Sequence, residues 1–134
     1  MAGDPIVLYG DGRQTRDFTY VDDVVAALRA AATAPDVGGC VFNVGGGARA
    51  SLIEVFELLE DLAGRPLEVR RRGRESGDVM HAAADIGGAR EALGLDPATT
   101  LEDGLRAELE WVRSRVVSPS RRLVRANGSA DHME

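Results

Sequence analysis

Two short segments of this chain combine an arginine with neighbouring groups that could hold a phosphorylated ligand. The first covers residues 10–21, GDGRQTRDFTYV. Its Arg16 is a permanent cation, and its planar donor fork suits phosphate oxygens. Gly10 and Gly12 predict a tight turn ahead of Arg16, because glycine adopts positive φ without a Cβ clash. A turn followed by a fixed guanidinium is a geometry that can hold an anion.

The second segment is Arg74-Glu75-Ser76-Gly77-Asp78. An arginine and a carboxylate this close suit a nucleotide diphosphate, because the cation neutralises phosphate while the carboxylate accepts hydrogen bonds from sugar hydroxyls. Arg74 also ends a run of five arginines within the ten residues 65–74. Such a run is usually a solvated face, and we interpret most of its members in that way.

Both segments resemble motifs of the nucleotide-sugar epimerase/dehydratase family, the extended short-chain dehydrogenases that include UDP-glucose 4-epimerase. The first is similar to the pattern YGDG-x-Q-x-RDF-x-YV-x-D. The second is similar to R-x-G-D-V-R-H-x-x-A-D, although two residues separate Arg74 from Gly77 and Met80 stands where the family often has arginine. The resemblance implies that Arg16 and Arg74 contact the diphosphate of a nucleotide sugar and that Asp78 bonds to the ribose hydroxyls. It also places three further residues beside the bound nucleotide, namely Val7, Tyr9 and Gln14.

The resemblance covers residues 5 to about 115 and corresponds to the carboxyl-terminal, substrate-binding portion of such an enzyme. A complete family member also carries a Rossmann domain that binds NAD and a Tyr-x-x-x-Lys dyad for proton transfer. All 16 basic residues of this chain are arginine, so it contains no such dyad. We therefore expect this chain to bind no cofactor, although the parent family uses NAD, and to be catalytically incomplete by itself.

Two classes of function stay open at this point. The chain could bind a UDP- or dTDP-sugar and cooperate with a separate Rossmann-domain chain. Alternatively, it could be a non-catalytic module that self-associates through the surface that the missing domain would cover, because exposed apolar patches favour association. Nucleic acid is not an expected partner, since the net charge is −6 and only 4% of residues are aromatic.

Gly45-Gly46-Gly47 could be taken for a dinucleotide-binding loop, and we reject that interpretation. Ser51 followed by Glu54 predicts a capping box, so the next helix starts only after the glycines have ended. The phrase FNVGGG-x-x-x-S-L-x-E also resembles a segment of the same family that binds no cofactor. We assign these glycines a structural role.

The alternation of short apolar runs and amphipathic segments predicts an α/β fold with a small mixed or partly parallel sheet. Three main helices are expected near residues 21–33, 51–63 and 100–116, with a short helix at 86–93. Strands are expected at residues 6–9, 40–44 and 67–71. Residues 1–117 should form one domain, and residues 118–134 a basic tail without regular structure.

The lone cysteine, Cys40, lies in an apolar stretch and is expected to be buried, since one thiol can form neither an internal disulfide nor a zinc site. No apolar run approaches the roughly 20 residues that cross a bilayer, and the start of the sequence lacks the pattern of a signal peptide. We therefore expect no membrane association and a cytoplasmic location.

Overall fold

The computed structural model describes residues 5–117, and the predicted tail at 118–134 lies outside the described residues. The predicted α/β class is confirmed, with the three main helices where the sequence places them. The elements in chain order are β1 (Ile6–Tyr9), β2 (Thr15–Asp17), α1 (Val21–Thr33), β3 (Arg49–Ser51), α2 (Leu52–Ala63), β4 (Val69–Arg72), α3 (Gly87–Leu93) and α4 (Leu101–Val117).

The strands form two separate ladders instead of one mixed sheet. β1 and β4 run parallel, with Ile6 opposite Val69 and Tyr9 opposite Arg72. β2 and β3 run antiparallel, with Arg16 opposite Ala50. Side chains alternate between the two faces of a strand. Leu8 is buried beside Ile53 of α2, whereas Val7 is exposed and Tyr9 is half-buried. All three residues line the candidate site described below.

The predicted strand at residues 40–44 is wrong. This segment makes no ladder with any described strand, and Cys40, which was expected to be buried, is exposed. Val41 is 93% exposed. The side chains have the β-prone character that the prediction used, but a strand forms only beside a partner, and the described part of the chain offers none here.

Helix α2 confirms its predicted start in detail. The hydroxyl of Ser51 accepts a hydrogen bond from the N–H of Glu54 at 3.2 Å, and the Glu54 carboxylate accepts from the N–H of Ser51 at 2.6 Å. The helix ends at Gly64, whose φ of 67° is in the left-handed region. Its inward face carries Val55, which is buried, and packs against α4.

The capping box predicts a measurable pH dependence of stability. Its hydrogen bonds from Ser51 hold the pKa of Glu54 below the ordinary value of 4.5. A lowered folded-state pKa means that the carboxylate stabilises the fold above pH 4.5 and that this contribution is lost as the pH falls through the lowered pKa. We expect the difference in free energy of unfolding between wild type and Glu54→Gln, measured by urea titration, to shrink on acidification below that value. The exposed Glu57 on the same helix supplies the control variant Glu57→Gln, and a pH-independent difference for Glu54→Gln would contradict this origin.

The buried core is small and is made of short side chains. Among residues 5–117, its buried hydrophobic members are Leu8, Ala27, Val55, Ile86 and Ala89. Helix α1 packs on α3 and buries Ala27, whereas Val25 and Leu28 are exposed although their spacing is typical of an apolar helix face. None of the described helices is both long and apolar enough to cross a membrane.

Candidate functional site

The turn between β1 and β2 is built as the sequence predicts. Gly10 and Gly12 have φ values of 80° and 85°, which only glycine adopts without strain. The buried side chain of Gln14 closes the turn, since its Nε2 donates to the carbonyl of Tyr9 at 2.8 Å. The carbonyls of Gly12 and Gln14 in turn accept from the first N–H groups of α2. The turn is thus fixed to a helix, and it delivers Arg16 at a defined place.

An open cleft of about 490 Å³ lies on the exposed side of β1. This volume is in the range of small-molecule sites. Five of the six residues predicted from the sequence line it, namely Val7, Tyr9, Gln14, Arg16 and Asp78. The structure therefore brings together two segments that are about 60 positions apart in the chain.

Arg16 and Asp78 meet directly in this cleft. Nη2 of Arg16 donates to Oδ1 of Asp78 at 2.7 Å, and Nη1 donates to the carbonyl of Thr15 at 2.9 Å. The side chains are 33% and 26% exposed, so both can meet a ligand. The cation keeps further N–H donors beyond these two bonds, because a guanidinium has five.

Arg74, the sixth predicted residue, lies next to the cleft and not in its lining. It lines an adjoining cavity of about 250 Å³ whose wall includes Tyr9, Gln14 and Asp78. Its Nη2 donates to the main-chain carbonyl of Asp78 at 2.8 Å, not to the carboxylate. Arg74 thus closes the turn that presents Asp78, and Gly77, with φ of 89°, makes that turn possible.

Two residues of the cleft escaped the sequence analysis. Leu52 and Phe56 on α2 form part of its wall and are half-buried. Both stand on the face that the apolar periodicity of α2 predicts to be buried, together with Val55. That periodicity identifies a buried face but cannot tell contact with the core from contact with a ligand.

His81 belongs to a segment that hydrogen bonds to Thr15 of β2. Thr15 donates its N–H to the carbonyl of Met80 at 2.8 Å and accepts from the N–H of Ala82 at 3.2 Å. The hydroxyl of Thr15 also hydrogen bonds to Nδ1 of His81 at 2.9 Å. These three bonds tie the segment that follows Asp78 to β2, so they hold the two halves of the cleft in register.

Gly45 and Gly46 pack closely against the segment that contains Asp17 and Phe18. A Cβ on Gly46 would collide with the carbonyl oxygen of Phe18, and one on Gly45 would lie 2.5 Å from the Asp17 carboxylate. Asp17 also accepts from the N–H of Gly46 at 2.6 Å. The glycines thus serve close packing against Asp17 and Phe18.

The start of α2 offers no alternative pyrophosphate site. The N–H groups of Leu52, Ile53 and Glu54 donate to Gln14, Gly12 and Ser51 respectively. These are the donors that would otherwise bind an anion at a helix N-terminus. Among residues 5–117 no group of three or more His, Cys, Asp or Glu side chains could hold a metal ion.

A small α/β unit with a cleft that contains arginine, aspartate and an aromatic wall has the features of a site for an anionic ligand that carries hydroxyl groups. Comparison with known proteins agrees with this class. Residues 1–45 match the NAD dependent epimerase/dehydratase family. The chain is 39% identical over 110 residues to an uncharacterised UDP-glucose epimerase, YtcB, of Bacillus subtilis, covering 82% of this chain and 35% of that protein.

Solved structures resemble the fold as well. The structure of MoeE5 in complex with UDP-glucuronic acid and NAD superimposes with a TM-score of 0.79 at 38% identity, covering 84% of this chain and 38% of that one. The UDP-glucose 4-epimerase of Thermotoga maritima, solved with UDP-glucose, gives a TM-score of 0.76 at 35% identity, covering 84% and 36%. The chain spans about a third of the length of the relatives that it matches. Sequence and fold therefore match a part of an NAD-dependent epimerase/dehydratase, which confirms the resemblance found in the motifs.

Proposed function

We propose that this chain is the nucleotide-sugar-binding part of an NAD-dependent epimerase or dehydratase, and that it binds a UDP- or dTDP-sugar without catalysing its conversion. The observation that carries the proposal is the cleft beside β1. It gathers Arg16 and Asp78 in direct contact, together with Val7, Tyr9 and Gln14. The relatives solved with UDP-sugars give the chemical class of the ligand.

Each residue has a distinct task in this proposal. Arg16 neutralises the diphosphate with its guanidinium donors, including the one that Asp78 occupies in the absence of a ligand. Arg74, on the adjoining wall, adds a second positive charge and fixes the turn of Asp78. The Asp78 carboxylate accepts hydrogen bonds from ribose hydroxyls. The side of β1 that carries Val7 and Tyr9 packs against the base, and Gln14 keeps this strand end in place through Tyr9.

The proposed lack of activity has two supports. The chain contains no lysine, so a Tyr-x-x-x-Lys dyad would have to come from elsewhere. Its glycine segment is filled by its own Asp17 and Phe18, so an NAD pyrophosphate has no place there. In this proposal, the hydride chemistry and the NAD site belong to a separate domain or chain. A cytoplasmic location stays a prediction.

A melting experiment tests the proposal. We expect UDP to raise the melting temperature of the chain, because a ligand at a hundred times its Kd adds about 2.7 kcal/mol to the free energy of unfolding. NAD at the same concentration should leave the melting temperature unchanged, and a UDP-sugar with NAD should give no product. A folded sample that responds to neither UDP nor dTDP would contradict nucleotide binding. A rise with NAD alone would contradict the assignment of the cofactor site to another domain.

A second candidate function, self-association, is favoured by a specific surface. Val21, Val25 and Leu28 follow one another along α1 and are 62%, 45% and 66% exposed, and the exposed Val41 belongs to the unpaired segment at residues 40–44. We call the surface formed by Val21, Val25 and Leu28 the α1 face. Apolar side chains concentrated in this way favour association. A separate Rossmann-domain chain is a second partner that could cover the same face.

Light scattering over a range of concentrations tests this candidate. If the α1 face pairs two copies, the mass of the wild type rises toward that of a dimer, and Leu28→Gln shifts the equilibrium back to the monomer. Val112→Gln, at an exposed valine on α4, is the matched control and should behave as the wild type. A wild type that stays monomeric at every concentration would rule out self-association.

A further inference from the structure

The guanidinium that the proposed function assigns to phosphate is already bound to a carboxylate. Nη2 of Arg16 lies 2.7 Å from Oδ1 of Asp78, and both side chains line the cleft. A phosphate oxygen that takes this donor must displace the carboxylate. If it binds beside the pair instead, it brings its negative charge close to that of Asp78. In both cases the anion is disfavoured, because it either displaces the Asp78 carboxylate from Arg16 or is repelled by its negative charge.

The carboxylate of Asp78 is free to exchange partners without unfolding its turn. The turn is held by backbone groups, because Arg74 donates to the main-chain carbonyl of Asp78 at 2.8 Å and the N–H of Asp78 donates to the carbonyl of Glu75 at 3.4 Å. Within the described residues, the side-chain oxygens of Asp78 receive a hydrogen bond from Arg16 alone. Loss of that one bond leaves the carboxylate in place and in need of new donors.

We propose that Asp78 determines specificity by excluding anions that carry no hydroxyl donors. The inference rests on the proposed function and adds a selection rule to it. Inorganic phosphate or pyrophosphate at Arg16 would leave the Asp78 carboxylate without its partner and beside a second negative charge, which is unfavourable. A nucleoside diphosphate brings ribose hydroxyls that donate to the released carboxylate. Glu75, which lines the same cleft, adds to the repulsion of free anions.

The exchange accounts for an otherwise unfavourable arrangement. A site made only to attract phosphate would keep its arginine free of carboxylates. Here the negative charge of Asp78 weakens the binding of every anion. Only ligands with hydroxyl groups at the right distance regain binding free energy, because those hydroxyls donate to the carboxylate. Discrimination by leaving a polar group unpaired with the wrong ligand is stronger than discrimination by size alone.

Calorimetric titration of the 134-residue chain with pyrophosphate and with UDP tests the inference. We expect Asp78→Asn to bind pyrophosphate roughly tenfold tighter than the wild type, the scale of one charge-assisted contact in a partly exposed site. Its affinity for UDP should not rise, because the amide offers the ribose hydroxyls one neutral acceptor oxygen where the carboxylate offers two charged ones. The preference for UDP over pyrophosphate should therefore fall by at least about tenfold.

The matched control is Asp96→Asn. Asp96 pairs with Arg90 at the same Nη2–Oδ1 distance of 2.7 Å but does not line this cleft. The Asp96→Asn variant also removes an ion pair, but one outside the cleft. Its affinities for pyrophosphate and for UDP should therefore equal those of the wild type. If the wild type binds UDP and Asp78→Asn leaves pyrophosphate binding unchanged, the selection rule is wrong and the proposed function stands. If neither the wild type nor Asp78→Asn binds either ligand, both are wrong.

Discussion

Replacement of Arg16 by alanine is expected to lower the affinity of the chain for UDP by roughly 30-fold or more, the lower end of the range for truncating one member of a hydrogen-bonded charge pair. Two losses combine in this variant. The diphosphate loses its planar donor fork, and the Asp78 carboxylate loses the cation 2.7 Å away and faces the phosphate unpaired. Calorimetric titration with UDP measures the change, and circular dichroism verifies that the variant is folded.

Two further variants separate charge from geometry at this position. Arg16→Lys keeps the charge but lacks the planar fork that binds phosphate oxygens in pairs, so its affinity should lie between those of the wild type and Arg16→Ala. Arg106→Ala removes an arginine of the Arg106–Glu102 pair on α4, outside the cleft, and should bind UDP as the wild type does. Unchanged affinity in folded Arg16→Ala would show that the nucleotide binds elsewhere.

Gly46→Ala is expected to destabilise the fold by about 3 kcal/mol, at the upper end of the usual cost of adding a methyl group to a filled site. The added Cβ would collide with the Phe18 carbonyl oxygen and lie 3.0 Å from Oδ1 of Asp17. A backbone oxygen cannot rotate aside. The hydrogen bond from the N–H of Gly46 to Asp17 would be lost as these two segments of the chain move apart. The melting temperature should fall by roughly 10–20 °C.

Gly38→Ala is the control for this substitution. A Cβ at Gly38 meets nothing within 4 Å, and its φ is not in the left-handed region, so the change should alter the free energy of unfolding by less than about 0.5 kcal/mol. A Gly46→Ala variant as stable as Gly38→Ala would mean that residues 17–18 and 45–46 are not packed as described. The glycines would then be available for a ligand.

The features that were predictable from the sequence are those set by local physics. The bounds of α2 follow from a capping box within four residues and from a glycine that can adopt the left-handed conformation. The turn before Arg16 likewise depends on two glycines and on nothing distant. In such segments the residues that decide the structure are neighbours in the chain.

The failures concern pairing at a distance. Residues 40–44 have strand-like side chains but no neighbouring strand among residues 5–117, so residue preference alone gave the wrong answer. The exposure of Val21, Val25 and Leu28 on α1 has the same cause, the lack of a partner surface. Their spacing is that of an apolar helix face, but the surface that they would bury is not present among residues 5–117. Apolar periodicity predicts a face, not its partner.

The candidate site was found as a set of residues but not as an arrangement. The motifs indicated Arg16 and Asp78 separately, one for phosphate and one for sugar hydroxyls. Their mutual ion pair depends on the bonds from Thr15 to Met80 and Ala82, which bring residues 62 positions apart together. No local pattern encodes that contact, and it changes the expected chemistry, because each group must release the other to meet a ligand.

The most direct test of nucleotide binding is a two-dimensional ¹H–¹⁵N NMR titration of the isotope-labelled chain with UDP. The account predicts saturable shifts confined to backbone amides of the cleft, namely those of Tyr9, Gln14, Arg16, Gly77 and Asp78, and none on the α1 face. Shifts at Gly45-Gly46-Gly47 without shifts in the cleft, or a spectrum unchanged at millimolar UDP, would contradict it.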